Sequence, residues 1–433
     1  MKHNQFIDPK RNTLITIPDY LSEYFINLKY PAIPKIFLLN KIYIFYFTKI
    51  KRKISFYLKI ILKTDIKFKT PEKKKYLIFD KEQSEYLELL FSKKDFFLLK
   101  NRLEDIDEIY LNTEIIIFCL RNIFKRSLRL NYLIIITKLV NPKNILTMID
   151  NSTDFYIISN YFKKDKIKSI AVQNGNRMVD LPITYKNRFV HYYYIIGDYE
   201  KKILKNKDET IVNLKSAGSL KASLAKKYFD EYADLKNDYY DLCVICDPYY
   251  FTNEKELLNT DYNLIVENIY KVAEYALRYS EKFNKKIVLS GKTQANSNLK
   301  HAEELFYKNY IRSKNFNISF NNRKNFGNYK NLYQSKIIIG YSSTMLREAF
   351  AFNKKVLCLD FANIPNIEFA SDGICLLKSK SYDLFEKRIE LINKLSYEDY
   401  LSQINDINSI YNVDFNLVRY LQQNLKESVN DEI

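Results

Sequence analysis

Short apolar runs alternate with longer amphipathic stretches through most of this 433-residue chain. Tyr76-Leu-Ile-Phe-Asp80 reads as a strand and Glu82 to Phe91 as a helix. An apolar run follows at Asp95 to Leu99, then a strand-like Thr113 to Leu120 and a helix from Arg121 to Val140. Asn144 to Asp150, a helix through Phe155 to Phe162 and a strand ending in Gln173 complete a first series. A charged, Tyr-rich helical stretch, Lys221 to Tyr240, leads into a second series. It comprises Leu242 to Cys246, a long helix from about Tyr262 to Phe283, Lys286 to Ser290, Ile337 to Gly340, a helix from Thr344 to Phe352, and Lys355 to Leu359. Such alternation predicts parallel sheets covered by helices, an α/β class. The expected organisation is a basic N-terminal extension (1–75), a Rossmann-like domain (76–220), a second Rossmann-like domain (221–395) and C-terminal helices (396–433) polar enough to wrap outside.

Length agrees with two sizeable cores. Five cysteines and no secretory signal point to a reducing cytosol. Cys243 and Cys246 are spaced like a metal or redox pair, but they fall in an apolar strand whose alternate residues face opposite ways. They read as core residues. With no second pair and three histidines, no metal and no cofactor is expected.

The net charge of +18 is concentrated. From Pro34 to Lys75 there are 13 Lys/Arg against Asp65 and Glu72, a net +11, which leaves +7 for the rest of the chain. Two aromatic and aliphatic runs in that stretch, Ile36 to Phe47 and Ile54 to Leu62, flank Lys49-Ile-Lys-Arg-Lys53. Neither reaches the roughly 18 residues that span a bilayer. Basic clusters beside apolar runs suit an interfacial helix on anionic lipid, and equally a solvated helix with its apolar face on the core. Nucleic-acid binding is disfavoured, because no recognition motif accompanies the charge.

All seven glycines lie at or after Gly175, and Gly175, Gly197, Gly218, Gly291 and Gly340 end or follow apolar runs. In open α/β sheets, ligands bind beyond the carboxyl ends of the strands. Four such ends carry polar residues. Ile337-Ile-Ile-Gly-Tyr-Ser-Ser-Thr344 offers Gly340 and the hydroxyls of Ser342, Ser343 and Thr344 before a helix, a setting for a phosphate, with Glu348 one turn further for a ribose. The plain alternative is an ordinary helix cap. Ser290-Gly-Lys-Thr293 supplies a flexible turn at Gly291 and a cation, Lys292, for a diphosphate; without an upstream glycine it is no P-loop. In the first series Asp150 and Asp180 are candidate carboxylates for base or nucleophile work. Asn151, Gln173, Asn174, Gly175 and Arg177 would orient a hydroxylated or anionic substrate, although Asp150-Asn151 also suits a helix cap.

At these residues the chain resembles the bacterial surface carbohydrate biosynthesis protein family. The likeness is carried by Leu77-Ile-Phe-Asp80, Ile149-Asp-Asn151, Gln173-Asn-Gly-Asn-Arg177, Tyr194-Ile-Ile-Gly197, Ala217-Gly-Ser219, Ser290-Gly-Lys292 and Gly340-Tyr-Ser-Ser-Thr344 with Glu348-Ala349, over roughly residues 76 to 365. It implies a metal-independent GT-B glycosyltransferase, with two facing Rossmann-like domains, the nucleotide donor on the C-terminal one and the acceptor on the N-terminal one. Related GT-B enzymes include the Kdo transferases and, with a similar Ser-Ser-Thr loop, the CDP-glycerol transferases. The absence of a His-Pro dipeptide disfavours sialic acid transfer. The expected function is therefore transfer of a sugar, with Kdo from CMP-Kdo as the first guess, to a lipid-linked or growing surface glycan such as lipopolysaccharide. The expected location is the cytoplasmic face of the inner membrane, held peripherally by residues 34–75. The alternatives are a CDP-glycerol or CDP-ribitol polyol-phosphate transferase and a non-catalytic membrane-associated scaffold.

Overall fold

Segments such as Tyr76–Phe79 and Ile337–Gly340 are apolar on every residue, and they become strands buried on both faces, as a parallel sheet between helices requires. The computed structural model describes residues 5–8, 13–16, 64–102, 105–176, 189–204, 210–231, 239–247, 260–297, 299–311, 316, 318–322, 326–364, 368–412, 417–419 and 421. Most of the basic 34–75 stretch, and the candidates Arg177 and Asp180, lie outside the described residues.

Strands β1 (Gln5–Asp8) and β2 (Thr13–Thr16) pair antiparallel, and β3 (Asp65–Lys67) pairs parallel with the strand Glu108–Tyr110. A first six-stranded sheet uses β4 (Tyr76–Phe79) and β5 (Phe96–Leu99); β6 (Glu108–Tyr110) stands apart with β3. The same sheet continues with β7 (Asn144–Thr147), β8 (Lys168–Val172), β9 (Phe189–Ile195) and β10 (Thr210–Ser216), in the order β10-β9-β8-β7-β4-β5. Its pairings from β10 to β4 are parallel. A second six-stranded sheet, parallel throughout, has the order β13-β12-β11-β14-β15-β16. Its strands are β11 (Tyr240–Ile245), β12 (Ile287–Gln294), β13 (Ile318–Asn321), β14 (Ser335–Gly340), β15 (Lys355–Leu359) and β16 (Leu376–Leu377). The chain thus carries two Rossmann-like α/β sheets.

Helices of the first half are α1 (Ser84–Glu88), α2 (Thr113–Arg121), α3 (Leu128–Val140), α4 (Thr153–Tyr161), α5 (Tyr199–Leu204) and α6 (Leu220–Glu231). The second half adds α7 (Thr260–Phe283), α8 (Lys300–Tyr310), α9 (Gly327–Tyr333) and α10 (Thr344–Glu348), then α11 (Tyr382–Lys394), α12 (Tyr397–Ser402) and α13 (Ile407–Ile410). Along α7, Ile265, Ile269, Val272, Ala276 and Tyr279 recur at three- and four-residue spacing and are buried. Each large side chain so covered contributes about 1.5–3 kcal/mol. Two compact units divide the chain: Met1–Lys73 with Leu99–Asn141, and Lys74–Leu98 with Pro142–Ile433. Apart from Leu99, both large sheets belong to the second unit.

Four expectations are corrected. Thr113 to Leu120 is not a strand but the helix α2. The Asn112 side chain accepts from Ile115 N at 2.8 Å, and Ile115 and Cys119, four apart, form its buried face. That cap and that spacing outweigh the strand preference of three consecutive isoleucines. The expected helix from Arg121 starts only at Leu128, where the Ser127 hydroxyl accepts from Leu130 N at 3.3 Å. The Lys221 to Tyr240 stretch is helical only to Glu231 among its described residues, and Tyr240 already opens β11. The C-terminal segment does not merely wrap outside, since Tyr400, Ile410, Tyr411, Leu417 and Leu421 are buried. Leu417 and Leu421 join the core of the first sheet, and Ile410 and Tyr411 that of the second.

Candidate functional site

The polar turn after β8 and the hydroxyl turn after β14 touch. Asn176 donates its backbone N–H to Thr344 Oγ1 at 2.8 Å and its side-chain amide to the Ser342 carbonyl at 2.7 Å. Strand ends of both sheets are therefore brought to one place, where an α/β protein binds its ligands. Asn174, Gly175, Asn176, Ser342, Ser343 and Thr344 are all half-buried there. Ser343 is the cap of α10, accepting from Met345 N at 3.4 Å, and Ser342 has φ +44°. A serine held in the left-handed region is uncommon and marks a turn fixed by its surroundings.

Beneath this junction lies a buried ion pair. Both guanidinium amino groups of Arg347 donate to the Glu200 carboxylate, the Nη2–Oε2 separation being 2.8 Å, with the two side chains 2% and 1% exposed. Arg347 also donates to the carbonyls of Ile410 at 2.7 Å and Ser409 at 3.3 Å, and to Asn176 Oδ1 at 3.3 Å. A planar, five-donor group is suited to joining so many acceptors. Gly197 permits the approach of the 408–410 backbone, because a Cβ there would fall 2.4 Å from the Ser409 carbonyl. Gln173, expected to orient substrate, instead fills its own bonds inside this network. It accepts from Ile196 N at 2.8 Å and donates to the Gly175 carbonyl at 2.7 Å and Glu200 Oε1 at 2.9 Å.

Asp150 lies at the end of β7 and is fully buried. Its Oδ2 accepts from the Tyr193 hydroxyl at 2.5 Å and its Oδ1 from Asn174 N at 3.3 Å. A carboxylate enclosed in this way fixes the β8 turn rather than meeting an acceptor hydroxyl. Asn151 is exposed beside it, and the cap of α4 is Ser152, which accepts from Phe155 N at 3.4 Å.

Glu348 is also turned inward. Its oxygens accept from the Ser219 hydroxyl at 2.5 Å and the Tyr329 hydroxyl at 2.9 Å, so the carboxylate is directed to these protein donors and not to a ribose. Burial, aided by the adjacent Glu348 charge, pushes the Tyr329 phenol well above its ordinary value and keeps it a donor. The Tyr411 phenol, pushed up to about 12 by burial, accepts from Ser219 N at 3.1 Å. Gly218, with φ +73°, makes the turn that brings Ser219 there.

The turn expected at Gly291 is absent, because β12 runs on to Gln294 with an irregular register. The backbone N–H groups of Lys292 and Thr293 are taken by the buried Glu303 carboxylate at 2.8 and 2.9 Å. The Lys292 ammonium is exposed and 2.5 Å from Asp247 Oδ1. At the end of β15, Asp360 accepts from Asn363 N at 3.0 Å, and burial pushes its carboxyl up against the opposing pull of that bond and of Lys378. Cys243 and Cys246 are core residues whose thiols burial pushes up. Among the described residues no group of three or more His, Cys, Asp or Glu could hold a metal.

The structure thus brings together Asn174, Gly175 and Asn176 with Ser342, Ser343 and Thr344, and sets Asp150 and Gln173 behind them. Lys292 and Glu348 have other protein partners. Sequence reasoning missed Arg347, Glu200 and Tyr193. Arg347 stands in the sequence just before Glu348, but its partner is 147 residues away and has no local signal.

No family model matches this chain, and no curated protein matches it. Solved structures of similar fold include the UDP-GlcNAc 2-epimerase from Neisseria meningitidis bound to UDP-GlcNAc, at 15% identity over 82% of this chain and 99% of that one, TM-score 0.46. The wall teichoic acid polymerase TagF is 12% identical over 93% of this chain and 100% of that one, TM-score 0.45. HepE from Anabaena in complex with UDP-glucose is 7% identical over 82% and 99%, TM-score 0.43. At these identities the likeness is one of fold alone.

Proposed function

We propose that this chain is a nucleotide-dependent glycosyltransferase of surface glycan assembly. The observation that supports it most is the meeting of the two strand-end turns through Asn176, Ser342 and Thr344. A transferase must hold a donor and an acceptor within bonding distance, and two α/β sheets with abutting ligand-binding ends suit that task. The donor's phosphates would lie along the Gly340–Thr344 turn and the acceptor on the side of Asn174 and Gly175. An acceptor hydroxyl oxygen bonds to the anomeric carbon while the bond from that carbon to the phosphate oxygen breaks. The electron pair leaves with the nucleotide, and a carboxylate takes the acceptor's proton. Of the two carboxylates, the enclosure of Asp150 favours Asp180 for the proton, with Asp150 positioning the turn. The acceptor is a lipid-linked or growing glycan, CMP-Kdo is the first donor to try, and neither step calls for a metal.

A thermal-shift panel of CMP, CDP, UDP and GDP tests the reading. A ligand at 100 times its dissociation constant raises stability by about 2.7 kcal/mol. A shift with CMP is expected, reduced by Thr344→Ala; CDP selectivity would redirect the reading to polyol-phosphate transfer. No shift with any nucleotide, and none with CMP-Kdo, would overturn it in favour of a scaffold.

A further inference from the structure

Sixteen large hydrophobic side chains are exposed among the described residues, and six of them fall between Ile116 and Leu128. They occupy the helical hairpin of α2 and α3. Ile116, Ile117 and Leu120 lie on the side of α2 away from buried Ile115 and Cys119. Ile123, Phe124 and Leu128 continue across the turn, and Phe124, at 100%, is fully in water. A cluster of this kind is an interaction surface rather than scatter.

Its charge says what covers it. Arg121, Lys125, Arg126 and Arg129 are interleaved with the apolar residues, and no Asp or Glu occurs from Ile115 to Ile149. Arg129 also donates to the Asn101 carbonyl at 3.1 Å, which holds part of this border in place. An exposed aromatic tip with cations interleaved along its own segment, and with the acidic residue of α2, Glu114, confined to that helix's first turn, matches the interface of a bilayer: apolar side chains enter among acyl chains while guanidinium and ammonium groups pair with anionic headgroups. A purely acidic protein surface would satisfy the cations and leave Phe124 wet. No described helix is long and apolar enough to cross a membrane.

We infer that the α2–α3 hairpin, with Phe124 at its tip, docks this protein on an anionic lipid surface. The inference supplies the surface at which the lipid-linked acceptor of the proposed reaction would be met. It is tested by vesicle binding, so it and the transferase reading fail separately.

The chain contains no tryptophan, so the full-length Phe124→Trp variant carries a single indole reporter. With vesicles containing phosphatidylglycerol, its emission should move to the blue and be quenched by brominated acyl chains, and phosphatidylcholine alone should do neither. Phe124→Asp with Leu120→Asp should lower partitioning onto the anionic vesicles by about tenfold or more while the melting temperature stays unchanged. Added salt should weaken binding of the unaltered protein. An indole indifferent to vesicles overturns the inference. So does binding that survives the paired Asp substitutions but is lost when Lys51, Arg52 and Lys53 are reversed to Glu, which would assign attachment to the 34–75 stretch. A change from dimer to monomer in Phe124→Asp with vesicle binding intact would likewise overturn it in favour of a second copy of the chain.

Discussion

The junction of the strand ends and the α2–α3 hairpin depart from the usual apolar-inside pattern in opposite directions. At the junction Arg347, Glu200, Asp150 and Glu348 are buried, and each has named partners. On the hairpin Ile116, Leu120 and Phe124 lie in water with cations between them. Buried charge is tolerated only when paired, so the first region is held by its own chain and is a fixed platform. Exposed apolar surface gains by being covered, so the second is built for something outside the chain. Substitution should therefore be felt as lost stability in one place and as lost association in the other.

The largest effect is expected from Arg347→Met, which leaves Glu200 buried without its partner. A loss of about 3–5 kcal/mol in urea unfolding would confirm that the pair is structural, and a loss near zero would break the comparison at its strongest point. Gly197→Ala sets a methyl against the Ser409 carbonyl, and overpacking of this kind costs about 1–3 kcal/mol. Asn176→Ala removes the side-chain bonds to Ser342 and Arg347, for about 1 kcal/mol each in stability. It should also weaken any nucleotide-induced rise in melting temperature, a readout that separates a binding turn from a merely structural one. Phe124→Asp should change stability by no more than about 0.5 kcal/mol while lowering retention on anionic vesicles, by less than the paired substitution with Leu120→Asp does. The smallest effect is expected at Lys292→Ala. Its ion pair with Asp247 is largely exposed and screened, so calorimetry should register a change within about 0.5 kcal/mol.

The strands that carry the junction were legible because they are continuous apolar runs closed by polar turns. Tyr76–Phe79, Lys168–Val172, Ser335–Gly340 and Lys355–Leu359 all stand where that pattern sets them, to within a residue or two. The α2 helix was not legible. Its isoleucines suit a strand in isolation, and only the Asn112 cap and the burial of Ile115 with Cys119 select the helix. Gly291 failed for a related reason. A glycine after an apolar run reads as a turn, but here its lack of a side chain serves a close neighbour: a Cβ would sit 2.8 Å from Ile318 Cγ2 on β13.

By itself the sequence determined two α/β sheets, the polar turns that end their strands, and the residue types those turns present. These follow from local rules, the alternation of faces and the backbone freedom of glycine, which act within a few residues. Which turns meet was decided only in three dimensions. Asn176 and Thr344 are 168 residues apart, and Arg347 and Glu200 are 147 apart. Nothing in either neighbourhood specifies the other, because the free energy of a buried pair depends on who the partner is and how completely water is excluded. The same holds for the hairpin, where only the folded chain decides that Ile115 and Cys119 are buried and Ile116, Leu120 and Phe124 exposed.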